Sequence, residues 1–167
     1  MTRRILAVFL LALAASTTHA AEPRPWSGGP LPLFELRDIE GRTHRLADYH
    51  GRVVLVNFWA TWCEPCRDEM PSIQRLKQKF AGESFTVLAV NVGEPEARIR
   101  KFLDQMTLDF PVLLDPEMSV TRNWQTRILP ASYLVGRDGR IRYSLVGELD
   151  WSSERVVKTV NELIGAK

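Results

Sequence analysis

"RVVLVNFWATWCEPC", residues 52–66, decides how the rest of this chain reads. Its first eight residues are a nearly continuous apolar and β-branched run, the pattern of a central strand buried on both faces. Its last five contain Cys63 and Cys66, the only two cysteines of the chain. A helix is expected directly after them, with Met70, Ile73, Leu76 and Phe80 along one side and Pro71 kinking it. The cysteines therefore fall where a strand hands over to a helix, and sites in α/β sheets form at such junctions.

Outward from this stretch, "FTVLAVNV" (85–92) reads as a second buried strand. Residues 96–106 carry Ile99, Phe102, Leu103 and Met106 at helical spacing, followed by a short strand around Val112 to Leu114 and a short helical stretch from Met118 to Trp124. "ASYLV" and "RIRYSLV" flank "GRDG", a hairpin signal. Ile141, Tyr143 and Leu145 alternate with Arg140, Arg142 and Ser144, so this strand has one wet face and belongs near an edge. A closing helix carries the stripe Val156, Val157, Val160, Leu163 and Ile164. Upstream, Leu33–Leu36 and Thr43–Leu46 flank "DIEG", a short hairpin expected to extend the main sheet. The order implies an α/β fold with a mixed central sheet flanked by helices.

The chain has 167 residues, 45% hydrophobic and 25% charged, a composition suited to one domain with its own core. Arg3 and Arg4 precede an apolar run from Ile5 to Ala15 that ends in small and polar residues at Ala20, the order of a signal peptide over residues 1–20. The run is about half the roughly 20 residues a membrane-spanning helix needs, which disfavours an uncleaved anchor. Cleavage after Ala20 would leave 147 residues with 20 basic and 20 acidic side chains, a net charge near zero. No basic run or aromatic-basic stripe points to nucleic acid. Residues 21–32, with Pro23, Pro25, Gly28, Gly29, Pro30 and Pro32, read as a lead-in linker to a domain over 33–167. Export implies an oxidising compartment, yet there is no second cysteine pair to form a disulfide framework.

Four uses of the cysteine pair compete. A structural staple closing so short a loop contributes about 2 kcal/mol, against about 3 for a fifteen-residue loop, and a domain of this size hardly needs it. Zinc wants four ligands, and His44 and His50 lie nearly twenty residues away with no knuckle-like pairing. Cu(I) can be held by two thiolates alone. Redox exchange accounts for more of the local sequence. A helix starting near Cys63 offers unpaired N–H groups and a dipole that favour the thiolate, and Cys66 follows one turn later. Lowering a thiol pKa from about 8.5 toward 7 raises the reactive fraction roughly tenfold. Cys63 is then the nucleophile and Cys66 the resolving thiol. Pro65 restricts the backbone between them, and it equally suits the first turn of a helix. Glu64 places a negative charge beside the thiolate and biases the pair toward donating electrons, an effect that screening keeps modest.

"VVLVNFWATWCEPC", Pro71, "VNVGE" (90–94) and "ILPASYLVGRDG" (128–139) together resemble the thioredoxin superfamily, and within it the exported TlpA/ResA-like thiol-disulfide oxidoreductases, over nearly the whole chain after residue 20. The resemblance implies a thioredoxin fold with an N-terminal hairpin and a helix-strand insertion over about 94–116. It implies that Pro130 is a cis-proline beside the disulfide, with the Leu129 backbone pairing to a bound peptide, and that Trp62 is a contact rim around Cys63. Ordinary thioredoxins have a buried aspartate six residues before the first cysteine. Here that position is Asn57, and Glu94 of "VNVGE" is expected to approach Cys66 and manage its proton. "GEPEA" also reads as a plain helix start. Trp26, Trp124 and Trp151 are expected only to pack.

The resulting expectation is an exported dithiol reductase without organic cofactor or metal. Its expected partners are disulfide-containing proteins, apocytochrome c first and copper-site assembly proteins next, with a membrane thiol transporter as electron donor. The rivals are a disulfide-forming oxidase and a Cu(I) carrier. A peroxidase is disfavoured because Ala60, not threonine, stands three residues before Cys63.

Overall fold

The computed structural model describes residues 22–30 and 32–166. The expected signal segment lies outside the described residues. The described residues form eight strands: β1 (Arg24–Pro25), β2 (Glu35–Arg37), β3 (Thr43–Arg45), β4 (Val53–Trp59), β5 (Phe85–Val92), β6 (Val112–Asp115), β7 (Ala131–Val135) and β8 (Ile141–Val146). Four α-helices accompany them: α1 (Glu64–Lys79), α2 (Glu96–Leu103), α3 (Ser119–Asn123) and α4 (Glu154–Gly165), with a 3-10 turn at Leu46–Tyr49.

Six strands form one sheet in the order β1-β8-β7-β4-β5-β6. β4 and β5 lie inside it, with neighbours on both sides, and every residue in both is buried, which is why they read as uninterrupted apolar runs. β4, β5 and β6 run parallel, whereas β7 and β8 are antiparallel, so the sheet is mixed as expected. Alternate residues of β4 point to opposite faces. Val53, Leu55 and Trp59 pack with Met70, Ile73 and Leu76 of α1, Ile99 of α2, and Val156 and Val160 of α4. Val54, Val56 and Phe58 pack with Phe34, Leu46, Val120, Trp124 and Tyr133 on the other side.

Three expectations need correction. The β2–β3 hairpin forms its own two-stranded sheet. Among the described residues its backbone meets the main sheet through the Asp38–Leu113 bridge and the Ile39 N–H donated to the Val112 carbonyl. The spacing over 96–106 overshoots α2, which ends at Leu103; Gln105 and Met106 donate to carbonyls three residues back, at Phe102 and Leu103, as the helix tightens into a turn. The lead-in segment is not merely a linker. Arg24 and Pro25 add an edge strand to β8, a place where proline's missing donor faces outward. Pro71 lies inside α1, and the helix continues through it to Lys79.

Candidate functional site

Cys63 is the N-cap of α1, and Glu64 and Pro65 are its first two residues. The chain reaches Cys63 through a tight turn after β4, in which the Cys63 N–H donates to the Ala60 carbonyl. Cys63 and Cys66 are joined as a disulfide. Cys66 is fully buried, Cys63 is 5% exposed, and Trp62 beside it is 64% exposed. Glu64 is exposed and Pro65 half-buried.

Register brings the second segment alongside. Phe58 pairs with Ala131, so Pro130 sits beyond the end of β7, next to the turn that carries Thr61 and Trp62. The Leu129–Pro130 peptide is cis. The Pro130 carbonyl accepts from the Gly147 N–H at 2.9 Å. Leu129 packs against the core cluster that contains both cysteines. Neither its amide nor its carbonyl has a backbone partner among the described residues. Ile128, two residues before Pro130, and Val146, which pairs with Ala131, are exposed apolar side chains, as Trp62 is. Ile128 had no signal in the sequence, and Val146 sits at a wet position of the β8 alternation.

Glu94 is 4% exposed and takes up a bracing position. Its Oε2 accepts from the Thr61 N–H at 2.6 Å and from Asn91 Nδ2 at 2.8 Å, and its Oε1 accepts from Thr61 Oγ1 at 2.6 Å. Arg98 Nη1 stands 3.8 Å away. The carboxylate thus clamps the turn two residues before Cys63.

A second buried carboxyl, missed by the sequence reading, lies on the cysteines' own helix. Glu69 is 1% exposed and follows Cys66 by three residues, a spacing that makes the two neighbours on one helix face. Its Oε1 accepts from Asn57 Nδ2 at 2.7 Å. Its Oε2 accepts from Trp151 Nε1 at 3.1 Å and the Leu149 N–H at 3.3 Å. Burial pushes its carboxyl pKa up to about 7, with the Glu148 charge adding to the rise and the three donors opposing it. The signal was legible: Glu69 falls between Cys66 and Ile73, inside the apolar stripe of α1. Asn57 does not hold a proton itself but steers the group that can. Its Nδ2 also donates to Ser132 Oγ at 2.9 Å.

His44, a candidate zinc ligand by residue type, is committed elsewhere. Its Nε2 lies 2.8 Å from Asp38 Oδ2 and its Nδ1 2.6 Å from the Tyr49 hydroxyl. Among the described residues, no group of three or more His, Cys, Asp or Glu side chains could hold a metal ion.

The arrangement suits thiol exchange: a sulfur at a helix N-terminus, a buried partner sulfur, a carboxyl that changes protonation near neutral pH, and an open backbone edge beside them. The comparisons agree. The sequence pattern of the AhpC/TSA family matches residues 27–144. The thiol-disulfide oxidoreductase ResA of Geobacillus thermodenitrificans is 35% identical over 151 residues, covering 88% of this chain and 87% of the relative. A Chlorobium tepidum structure assigned as thiol:disulfide interchange protein DsbE superposes with a TM-score of 0.77 at 30% identity, over 85% of this chain and all of that one. The exposed lipoprotein thioredoxin of Streptococcus pneumoniae superposes at 0.69 and 27% identity, over 79% of this chain and all of that one. With a thioredoxin fold, a Cys-Glu-Pro-Cys pair at the head of α1 and this breadth of identity, the chain belongs to the AhpC/TSA family and, within it, to the ResA-like thiol-disulfide oxidoreductases.

Proposed function

We propose that the protein works as a reductase of partner disulfides outside the cytoplasm. The Cys63 thiolate attacks one sulfur of the partner's disulfide, forming a mixed disulfide and releasing the partner's other sulfur as a thiolate. The Cys66 thiolate then attacks Cys63 Sγ, giving the Cys63–Cys66 disulfide and a reduced partner, so two electrons pass to the partner and no cofactor is consumed. Cys66 must lose its proton for this second step. Glu69, one turn away and near half-protonation at neutral pH, is the acceptor the geometry supports best. Glu94 holds the turn before Cys63 through Thr61. Trp62 and the free Leu129 backbone receive the partner segment beside Pro130, and Pro65 stiffens the loop between the sulfurs.

The observation that carries this reading is the buried Cys66–Glu69 pair behind a disulfide whose first cysteine caps a helix. Export is supported by the charged, apolar, small order of residues 1–20, and by the pneumococcal neighbour, an exposed lipoprotein. No helix among the described residues is long and apolar enough to cross a membrane. We infer apocytochrome c before haem attachment as leading substrate and copper-site assembly proteins as next, with a membrane thiol transporter returning electrons. Cys66→Ser should accumulate partners as stable adducts on Cys63, identifiable by mass spectrometry; absence of adducts in the native compartment rejects this partner class. Equilibration against a dithiol buffer sets the direction. A potential near the about −270 mV of thioredoxin supports a reductase, and one near the about −120 mV of DsbA supports an oxidase.

A further inference from the structure

We propose that the loop from Gly147 to Trp151 is a positioning element, in which the Trp151 indole and the Leu149 amide hold the Glu69 carboxyl behind Cys66 and connect it to the cis-proline segment that receives the partner. The inference rests on Glu69 serving Cys66, as set out above. Both donors converge on one oxygen: Trp151 Nε1 and the Leu149 N–H approach Glu69 Oε2 at 3.1 and 3.3 Å. The backbone is clipped to the same helix turn. Ser72 Oγ donates to the Glu69 carbonyl at 2.7 Å and accepts from the Trp151 N–H at 3.0 Å. Trp151 is fully buried, so its indole N–H has no water to fall back on, and the carboxylate is its partner.

The other end of the loop is tied to the substrate side. The Gly147 N–H donates to the Pro130 carbonyl, and Gly147 adopts φ 103°, a backbone conformation that L side chains rarely take. Five residues thus run from the cis-proline to the buried acid. Between the two ends lies Glu148, exposed, whose charge opposes ionisation of Glu69. The groups bearing on Glu69 are Asn57 from β4, Leu149, Trp151 and Glu148 from the loop, and Cys66 on its own helix. Among the described residues no cation pairs with it, so the loop's two donors carry much of the stabilisation that its ionised form receives.

Opposite shifts from the two ends of the loop test this. In the oxidised protein, the Glu69 side-chain carboxyl ¹³C resonance and the Trp151 indole ¹⁵N–H resonance are followed against pH. The two are expected to titrate with one midpoint near pH 7. Trp151→Phe keeps an aromatic ring and removes the donor, and should raise the carboxyl midpoint by about one pH unit. Glu148→Gln should lower it, by a few tenths of a unit because that charge is exposed and screened. The bend in the pH profile of insulin-disulfide reduction should move with the midpoint in each variant. An indole resonance that ignores the carboxyl's titration, or a midpoint unmoved in Trp151→Phe, overturns the inference. If Trp151→Phe does not fold, the wild-type indole titration and Glu148→Gln decide it. Glu69→Gln separates this failure from failure of the functional reading. A bend that survives in Glu69→Gln removes Glu69 from the chemistry, whereas a bend lost there but unmoved in Trp151→Phe removes only the loop.

Discussion

At pH 7 the Glu69 carboxyl is near half-protonation in the folded chain, whereas an exposed glutamate reaches half-protonation at about pH 4.5. Between those values the folded form holds a proton that the unfolded form has lost. This contribution to stability is therefore fully present below about 4.5 and declines as pH rises to about 7, by about 3 kcal/mol in all. Urea unfolding of the oxidised protein at pH 5 and pH 8 should show that decline, and Glu69→Gln, with no proton to exchange, should flatten it. The same substitution should slow resolution of a mixed disulfide at pH 7 on the order of 100-fold, read as release of the second partner thiol in stopped flow. An unchanged rate would pass the proton-accepting role to another group, such as Glu94, the acid expected from the family resemblance. The place of Cys63 and Cys66 at the head of a helix was legible from residue order alone, and the proposed nucleophile and resolving roles rest on it. Glu69 could have been found the same way, since a glutamate inside the stripe Cys66, Met70, Ile73, Leu76 conflicts with the apolar face around it.

The β2–β3 hairpin shows what an element of two three-residue strands needs in order to stay in place. Its strands are too short to be stable by themselves, and Asp38 does much of the fastening. The buried carboxylate accepts from the Glu40 and Arg42 N–H groups, from Arg42 Nε and from His44. Burial opposes its charge, but these hydrogen bonds prevail and hold its pKa at about 2. Its contribution is present above about pH 4, where an unfolded aspartate is ionised, and is lost as pH falls through about 2. Asp38→Asn should cost about 2 kcal/mol at pH 7. The gap to wild type in urea unfolding should narrow as pH falls from 5 to 2, while disulfide exchange at Cys63 is unaltered. The hairpin was legible from its turn, but its separation from the main sheet was not. At the outer edge of β6 the hairpin pairs through one isolated bridge, at Asp38–Leu113, and a strand pattern does not say which edge it will join. Helix α2 shows the converse: Met106 kept the helical period, but the helix ends at Leu103, because periodicity reports which side chains reach the core and not which backbone hydrogen bonds close.

Across the whole molecule, the strap formed by residues 22–30 holds the outer edge of the sheet without touching the chemistry. Trp26 packs edge-on against Tyr133 at 5.8 Å, its backbone N–H donates to the Arg142 carbonyl, and Glu22 pairs with Arg155 of α4. Trp26→Ala should expose this segment to limited proteolysis well before the domain unfolds, with reduction of insulin disulfides unchanged; loss of that activity would mean that the strap supports the site. The sequence by itself determined the strand-helix-strand order, the burial of β4 and β5, and the place of the cysteines at the head of α1. Each of these follows from periodicities of two and 3.6 residues acting over a few neighbours. Only the tertiary structure decided that Glu94 braces Thr61, that Asn57 steers Glu69, and that Trp151 lies against the acid. These contacts join residues 12 to 82 positions apart, and their hydrogen bonds become strong once packing of α1 and the β8–α4 loop on the sheet has removed the water between them.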